Sequence, residues 1–229
     1  ILNNINNEKV PCFKLNRIED LLHYSLFEEL LNKTKSVHPP QLHFIHIPKT
    51  GGTSIENAGK KHNINWGRFY DYNDRKYNCS IWHQPTQPEY KSNNTFCVVR
   101  NPYTRMISEY HYSQGTFNNC KQNTPNRLTH FKKWLKKYAN NYKNNKSALD
   151  CHLIPQTEYT QHCDHILRFE NLEKEVNQLF KQYDLDYITL SKDNQTKKKC
   201  LKLSDLDKEC KDIIYTLYKS DFDNFGYKS

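Results

Sequence analysis

The 229-residue chain sets Lys+Arg 34 against Asp+Glu 25, a formal charge of +9, and its mean hydropathy is −0.98. No apolar run approaches the ~20 residues that a membrane helix needs, so no span is expected. The basic excess favours an anionic partner, whether nucleic acid, acidic glycan, anionic lipid or a phosphorylated cofactor. Eight cysteines without a CxxC pair argue against a zinc ribbon or a thioredoxin-type site.

The chain opens on Ile1, which reads as a trimmed sequence that an anchor segment could precede. Residues 15–34 place Leu15, Ile18, Leu22, Leu26 and Leu30 at three- and four-residue steps, predicting an amphipathic helix that ends before Pro39-Pro40. Residues 42–47 read as a buried strand, and 53–62 as a helix entered through Thr53 or Ser54 as N-cap. The Asn- and Tyr-rich stretch 63–94 is irregular. A second buried strand over 95–99 ends on Arg100, and a helix over 103–112 follows Asn101-Pro102. Residues 115–126 are a loop and 127–143 a basic helix. A third strand over 165–169, a helix over 171–183, a Lys-rich loop at 191–199 and a helix over 204–219 complete the chain. Strand–helix alternation predicts an α/β fold in which helices flank a mainly parallel central sheet. An N-terminal helical extension occupies 1–41, and the α/β domain 42–229.

Two stretches carry chemistry. In His46-Ile47-Pro48-Lys49-Thr50-Gly51-Gly52-Thr53-Ser54 a strand runs through a glycine turn into a helix, the layout of a phosphate cradle. A nucleoside-triphosphate P-loop has its lysine after the glycines, and here Lys49 stands before them. The second strand ends on Arg100, where a Walker-type site would offer an aspartate for Mg²⁺. Lys49, Arg100 and nearby hydroxyls therefore suit an anion whose chemistry needs no metal. In the segment 98–110 (VVRNPYTRMISEY), Arg100 and Ser108 can reach one further phosphate.

This pair of motifs resembles the 5′-phosphosulfate and 3′-phosphate motifs of sulfotransferases that use 3′-phosphoadenosine 5′-phosphosulfate (PAPS). Residues 152–156 (HLIPQ), 166–172 (ILRFENL) and 218–227 (YKSDFDNFGY) extend the likeness over roughly 42–228, toward the carbohydrate O-sulfotransferase branch with its chondroitin and heparan 2-O enzymes. The resemblance implies a P-loop-like sulfotransferase fold and PAPS as sulfuryl donor, with the bisphosphate PAP as product and no metal. It implies that Lys49 contacts the sulfate and bridging oxygen. Thr50, Gly51, Gly52, Thr53 and Ser54 would cradle the 5′-phosphosulfate, and Arg100 and Ser108 would bind the 3′-phosphate. Asn194 and Lys197 fall where a family loop closes over the nucleotide.

Transfer to an alcohol also needs a base. Among eleven histidines, His83 lies between the two motifs, where the resembled branch places its catalytic histidine; Asp71, Asp74 and Glu56 are the carboxylate alternatives. His46 reads as a packed strand residue. His111 and His152 are expected toward the acceptor, His152 within a family motif. The acceptor is expected to be a carbohydrate, and an acidic glycan suits the charge. Arg127, Lys132, Lys133, Lys136 and Lys137, interleaved with Phe131, Trp134 and Tyr138, form either a glycan-gripping face or an ordinary amphipathic helix with an apolar seam. Nucleic acid rests on net charge alone and is not expected as a partner.

Three readings stand: a metal-independent sulfotransferase; a non-catalytic module of the same fold that binds nucleotide or acidic glycan; and a kinase or NTPase of related fold, which would need Mg²⁺. An even cysteine count and sequons at Asn32, Asn78, Asn93, Asn145 and Asn194 fit the Golgi lumen or secretory pathway, with the cytosol the address for a chain of viral origin. Cys97, inside an apolar run, reads as a buried free thiol.

Overall fold

The computed structural model describes residues 42–72, 75–85, 94–113, 127–190 and 201–229. The predicted helix at 15–34, the 1–41 extension, the loops at 115–126 and 191–199, Asp74, Asn194, Lys197 and three cysteines (Cys12, Cys120, Cys200) lie outside these residues. Among the described residues, three strands pair in parallel: β1 (Leu42–Ile45), β2 (Asn94–Val99) and β3 (His165–Arg168), in that spatial order. The described residues also form seven α-helices: α1 (Gly52–Lys61), α2 (Pro102–Ser113), α3 (Arg127–Asn144), α4 (Gln156–Thr160), α5 (Leu172–Gln182), α6 (Lys208–Leu217) and α7 (Lys219–Phe225). The mixed α/β architecture with a parallel sheet is the one expected. No helix among the described residues is long and apolar enough to cross a membrane.

The register sets Phe44 beside Phe96 and Cys97 beside Ile166, so alternate residues of all three strands share a face. Leu42, Phe44, Phe96, Val98 and Leu167 pack on Ile55 and Ala58 of α1 and on Val176, Leu179 and Phe180 of α5, with Trp66 among them. The opposite face carries Ile45, Cys97 and Val99 onto Ile47, Ile154, Tyr159 and the Cys79–Cys151 disulfide. A sheet covered on both faces explains why β2 is a continuous apolar run from Phe96 to Val99 and why β1 is apolar apart from His43. Each fully buried Phe or Ile contributes about 1.5–3 kcal/mol, so Phe44→Ala would remove about 3–5 kcal/mol once its cavity is counted. A separate helical core joins α2, α3 and α6 through Met106, Phe131, Leu135, Cys210 and Ile214. Cys97 is buried and free, as expected, and Cys163 and Cys210 are free as well.

Four local expectations are corrected. First, α1 starts at Gly52 with Gly51 as N-cap, because Gly51 turns the chain at φ 93°; neither Thr53 nor Ser54 caps it. Second, the single helix expected at 204–219 is two, jointed at Tyr218, whose buried hydroxyl donates to the Leu153 carbonyl at 3.1 Å. Third, α4 was not foreseen; its first N–H groups, on Gln156 and Thr157, donate to Asp221, 65 and 64 positions away in sequence. Fourth, the irregular stretch contains two 3-10 turns, Gly67–Phe69 and Ile81–His83, and the second positions His83. The basic helix α3 resolves as the amphipathic alternative. Phe131, Leu135 and Tyr138 are its buried seam, Lys132 pairs with Asp207 and Glu209, and Lys136 pairs with Glu209.

Candidate active site

The three strands point their C-terminal ends at one cavity of about 820 Å³, the usual ligand end of a parallel sheet. Beyond β1 the chain turns through Lys49 (φ 69°) and Gly51 (φ 93°), conformations that bring the loop back onto the start of α1. A Cβ on Gly52 would stand 2.6 Å from Nε2 of His46, so only glycine lets the loop close over that ring. No side chain caps α1; the Ser54 N–H turns back to the Gly51 carbonyl at 3.0 Å, and the positive dipole end of the helix suits an anion. Lys49, Gly51, Gly52, Thr53 and Ser54 all line the cavity. Thr50 does not: it is buried, and its hydroxyl donates to the Ile47 carbonyl at 2.8 Å, which braces the turn from within.

Arg100 follows β2 and is gripped on every side. Its Nε donates to Thr104 Oγ1 at 3.0 Å and its Nη1 to the Lys49 carbonyl at 3.1 Å, while the guanidinium lies 4.0 Å from the centre of the Phe169 ring. Burial lowers its pKa to about 10, opposed by Glu170, and it remains charged at neutral pH. Ser108, two turns into α2, lines the same cavity. Lys49 Nζ sits 3.9 Å from the centre of the Tyr112 ring. Burial lowers the Lys49 pKa to about 8; Glu109 opposes the shift, and Arg100 and Arg105 add to it.

The same cavity is lined by a row of histidines, each with its own carboxylate. His46 Nδ1 is 2.6 Å from Glu56, His83 Nδ1 is 2.8 Å from Asp150, and His152 Nδ1 is 2.7 Å from Glu109. The His83 ring meets His46 and His152 edge-on, with centroids 4.9 and 5.0 Å apart. An ionised carboxylate only accepts, so the Asp150 pairing puts a ring proton on Nδ1 of His83 and, in the neutral ring, leaves the lone pair on Nε2. Burial pushes the His83 pKa down to about 4; Asp150 resists the shift, and His46 and His152 reinforce it. Burial works against the Asp150 carboxylate, yet His83 and the Ser80 donors hold it well below its ordinary range. Burial works against Glu109 too, and His152, Lys49 and Arg105 outweigh it.

Within one cavity, then, lie a neutral imidazole with a free Nε2, two half-buried cations and a helix end without a side-chain cap. That set can accept a proton from a hydroxyl and offset charge on an anionic leaving group. His83, Asp150 and His152 also bring potential ligand atoms within 4.8 Å of one another, a composition able to hold a metal ion. His152 lines the cavity, whereas His111, expected at the acceptor, is buried and is not among the lining residues.

The sulfotransferase family model matches residues 34–228. The chain belongs to the sulfotransferase family. No curated protein gives a significant match. The sulfotransferase's enzymatic class, sulfuryl transfer, follows from that membership.

Sequence reading missed the residues that hold the site together. Asp150 and Trp82 line the sulfotransferase cavity with no periodic or motif signal of their own, while Glu109, which pairs with His152, lies unremarked inside the motif 98–110. Buried Arg105 ties the Pro48 carbonyl to those of His152 and Ile154, each at 3.1 Å. It sits inside the quoted motif 98–110, and its place between two signature stretches was the one available hint.

Proposed function

We propose that this sulfotransferase moves the sulfuryl group of PAPS to a hydroxyl of a carbohydrate, by in-line transfer without a metal and with His83 as base. The family generally takes its sulfuryl group from PAPS, and the residues present fit that donor. A helix end without a side-chain cap, its glycine turn with Lys49, and the Arg100–Ser108 pair offer two separate anion-binding places in one cavity. Gly51 to Ser54 and Lys49 would hold the phosphosulfate, Arg100 and Ser108 the 3′-phosphate.

In the reaction the acceptor oxygen bonds to sulfur as its proton passes to His83 Nε2, and the bond from sulfur to the bridging phosphate oxygen breaks. Lys49 offsets the negative charge that grows on that oxygen. The products are PAP and a sulfate ester. The observation that carries this reading is the pairing of His83, deprotonated at neutral pH, with cationic Lys49 on the walls of one cavity.

Trp82 beside His83 and Tyr112 beside Lys49 give the cavity two aromatic walls suited to a sugar ring, and the +9 charge favours an acidic glycan. The Cys79–Cys151 disulfide and the exposed sequon residues Asn78 and Asn145 support an oxidising, secretory address. The test is transfer of radiolabelled sulfate from PAPS to desulfated heparan and chondroitin chains, a tyrosine peptide and a simple alcohol. Labelled glycan, with ~10²-fold or greater loss in His83→Ala, is expected. Label confined to peptide or alcohol, or none at all, would overturn the carbohydrate reading.

A further inference from the structure

His83 and Asp150 belong to distant segments, and the residues beside their contact are covalently joined. The disulfide links Cys79 to Cys151, the immediate neighbours of Ser80 and Asp150. Ser80 gives Asp150 both of its donors, the backbone N–H and the hydroxyl, the latter at 3.0 Å, and His83 gives a third through Nδ1 at 2.8 Å. The Tyr159 hydroxyl adds a further tie, lying 2.9 Å from the His83 carbonyl and 3.2 Å from that of Cys151. Leu149, Asp150 and Cys151 are all left-handed, at φ 53°, 58° and 63°, and none is glycine. Consecutive L-residues avoid that region unless their surroundings impose it. Here the cross-link, the carboxylate bonds and Tyr159 act on it together with two backbone bonds of the turn, from the Cys151 N–H to the Ser147 carbonyl at 3.2 Å and from the His152 N–H to the Leu149 carbonyl at 3.1 Å.

We propose that Asp150 is the positioning residue of the His83 base, and that the Cys79–Cys151 disulfide holds the left-handed turn that puts Asp150 there, so that full sulfuryl transfer requires the oxidised cross-link. It rests on His83 being the base. Asp150 fixes the ring with its proton on Nδ1, so that Nε2 faces the acceptor; without the cross-link the turn relaxes, the carboxylate leaves and the ring is free to turn.

The experiment compares the full chain with Asp150→Asn, with Cys79→Ser/Cys151→Ser, with all three changes together and with His83→Ala, reading kcat, KM, the pH profile and calorimetric PAP affinity. Asp150→Asn is expected to lower kcat ~10²-fold while PAP affinity stays within about twofold, and to move the acid limb of kcat/KM to lower pH, since Asp150 supports the protonated ring. The paired serine variant should lose kcat similarly, and the triple variant should be no worse than the pair, the non-additivity of residues acting as one unit. Should the serine variant fail to fold, Ser80→Ala and native-state reduction with alkylation of wild type stand in for it. A fully active Asp150→Asn, or losses that multiply in the triple variant, would overturn the inference while an inactive His83→Ala kept the base reading intact. An active His83→Ala would instead remove the base reading, and this inference with it.

Discussion

Gln156 exchanges two hydrogen bonds with the backbone of Arg100: its Oε1 accepts from the Arg100 N–H at 2.8 Å and its Nε2 donates to the Arg100 carbonyl at 2.9 Å. The same Nε2 reaches buried Asp221 at 3.2 Å, and Asp221 also accepts the Gln156 N–H at 3.0 Å. Phe169 lies against the Arg100 guanidinium, and Glu170 accepts the N–H of Asn101 at 2.9 Å. The stretches 152–156, 166–172 and 218–227 thus converge on one arginine at the end of β2. Gln156→Ala would leave the Arg100 N–H and carbonyl without their partner, at a loss on the order of 3 kcal/mol of stability. It should weaken PAP binding by about tenfold. Denaturant melts and calorimetry check both, and unchanged PAP affinity would detach this bracket from the nucleotide site.

Two groups with displaced pKa values set the pH dependence, and their signs oppose. His83, near 4, must be neutral to accept a proton, so rate is lost as pH falls through its pKa. Lys49, near 8, must be charged, so rate is lost as pH rises through its pKa. The kcat/KM profile, which reports the free enzyme, should therefore be flat from about pH 5 to about pH 7 and fall on both sides. A Lys49→Arg variant, whatever its residual rate, should lose the alkaline limb. An acid limb near the ordinary histidine value would contradict the desolvation assigned to His83.

Gly52→Ala tests the cradle. The added Cβ would meet Nε2 of His46, whose ring is buried and tied through Nδ1 to Glu56, so it has little room to yield. A loss of about 1–3 kcal/mol in stability is expected from such overpacking, with PAP affinity down ~10-fold or more. A variant that binds and melts like wild type would mean the loop does not close on His46 as described.

Chelation separates the two uses open to His83, Asp150 and His152. With His83 as base and Asp150 committed to Ser80 and His83, exhaustive EDTA treatment should leave the rate unchanged. Loss of activity restored by a divalent ion would instead place a cation among these three residues.

How much could be read from sequence varies with how local the cause is. The strands at 42–45 and 94–99 were legible because they are buried and apolar but for His43 in the first and Asn94 and Thr95 at the start of the second. Lys49, Gly51, Gly52, Arg100 and Ser108 were legible because a phosphate cradle needs a turn, a helix end and cations at short spacing. Asp150 was not, because it reaches His83 across 67 positions from a left-handed turn that no residue type announces. Nor was α4, because its cap is Asp221 in the C-terminal tail. The aromatic and basic alternation of α3 signalled a surface equally well as a seam. The seam shows only in the packing, where Phe131, Leu135 and Tyr138 are buried in one core with Cys210 and Ile214 of α6.

The most direct test of the central claim is calorimetric titration of the chain with PAP in metal-free buffer, with ATP–Mg²⁺ as comparator. Tight PAP binding, reduced ~10²-fold or more in Arg100→Ala and clearly weakened in Ser108→Ala, is the predicted result. Absence of PAP binding, or preference for ATP–Mg²⁺, would contradict the assignment of this cavity to the sulfuryl donor.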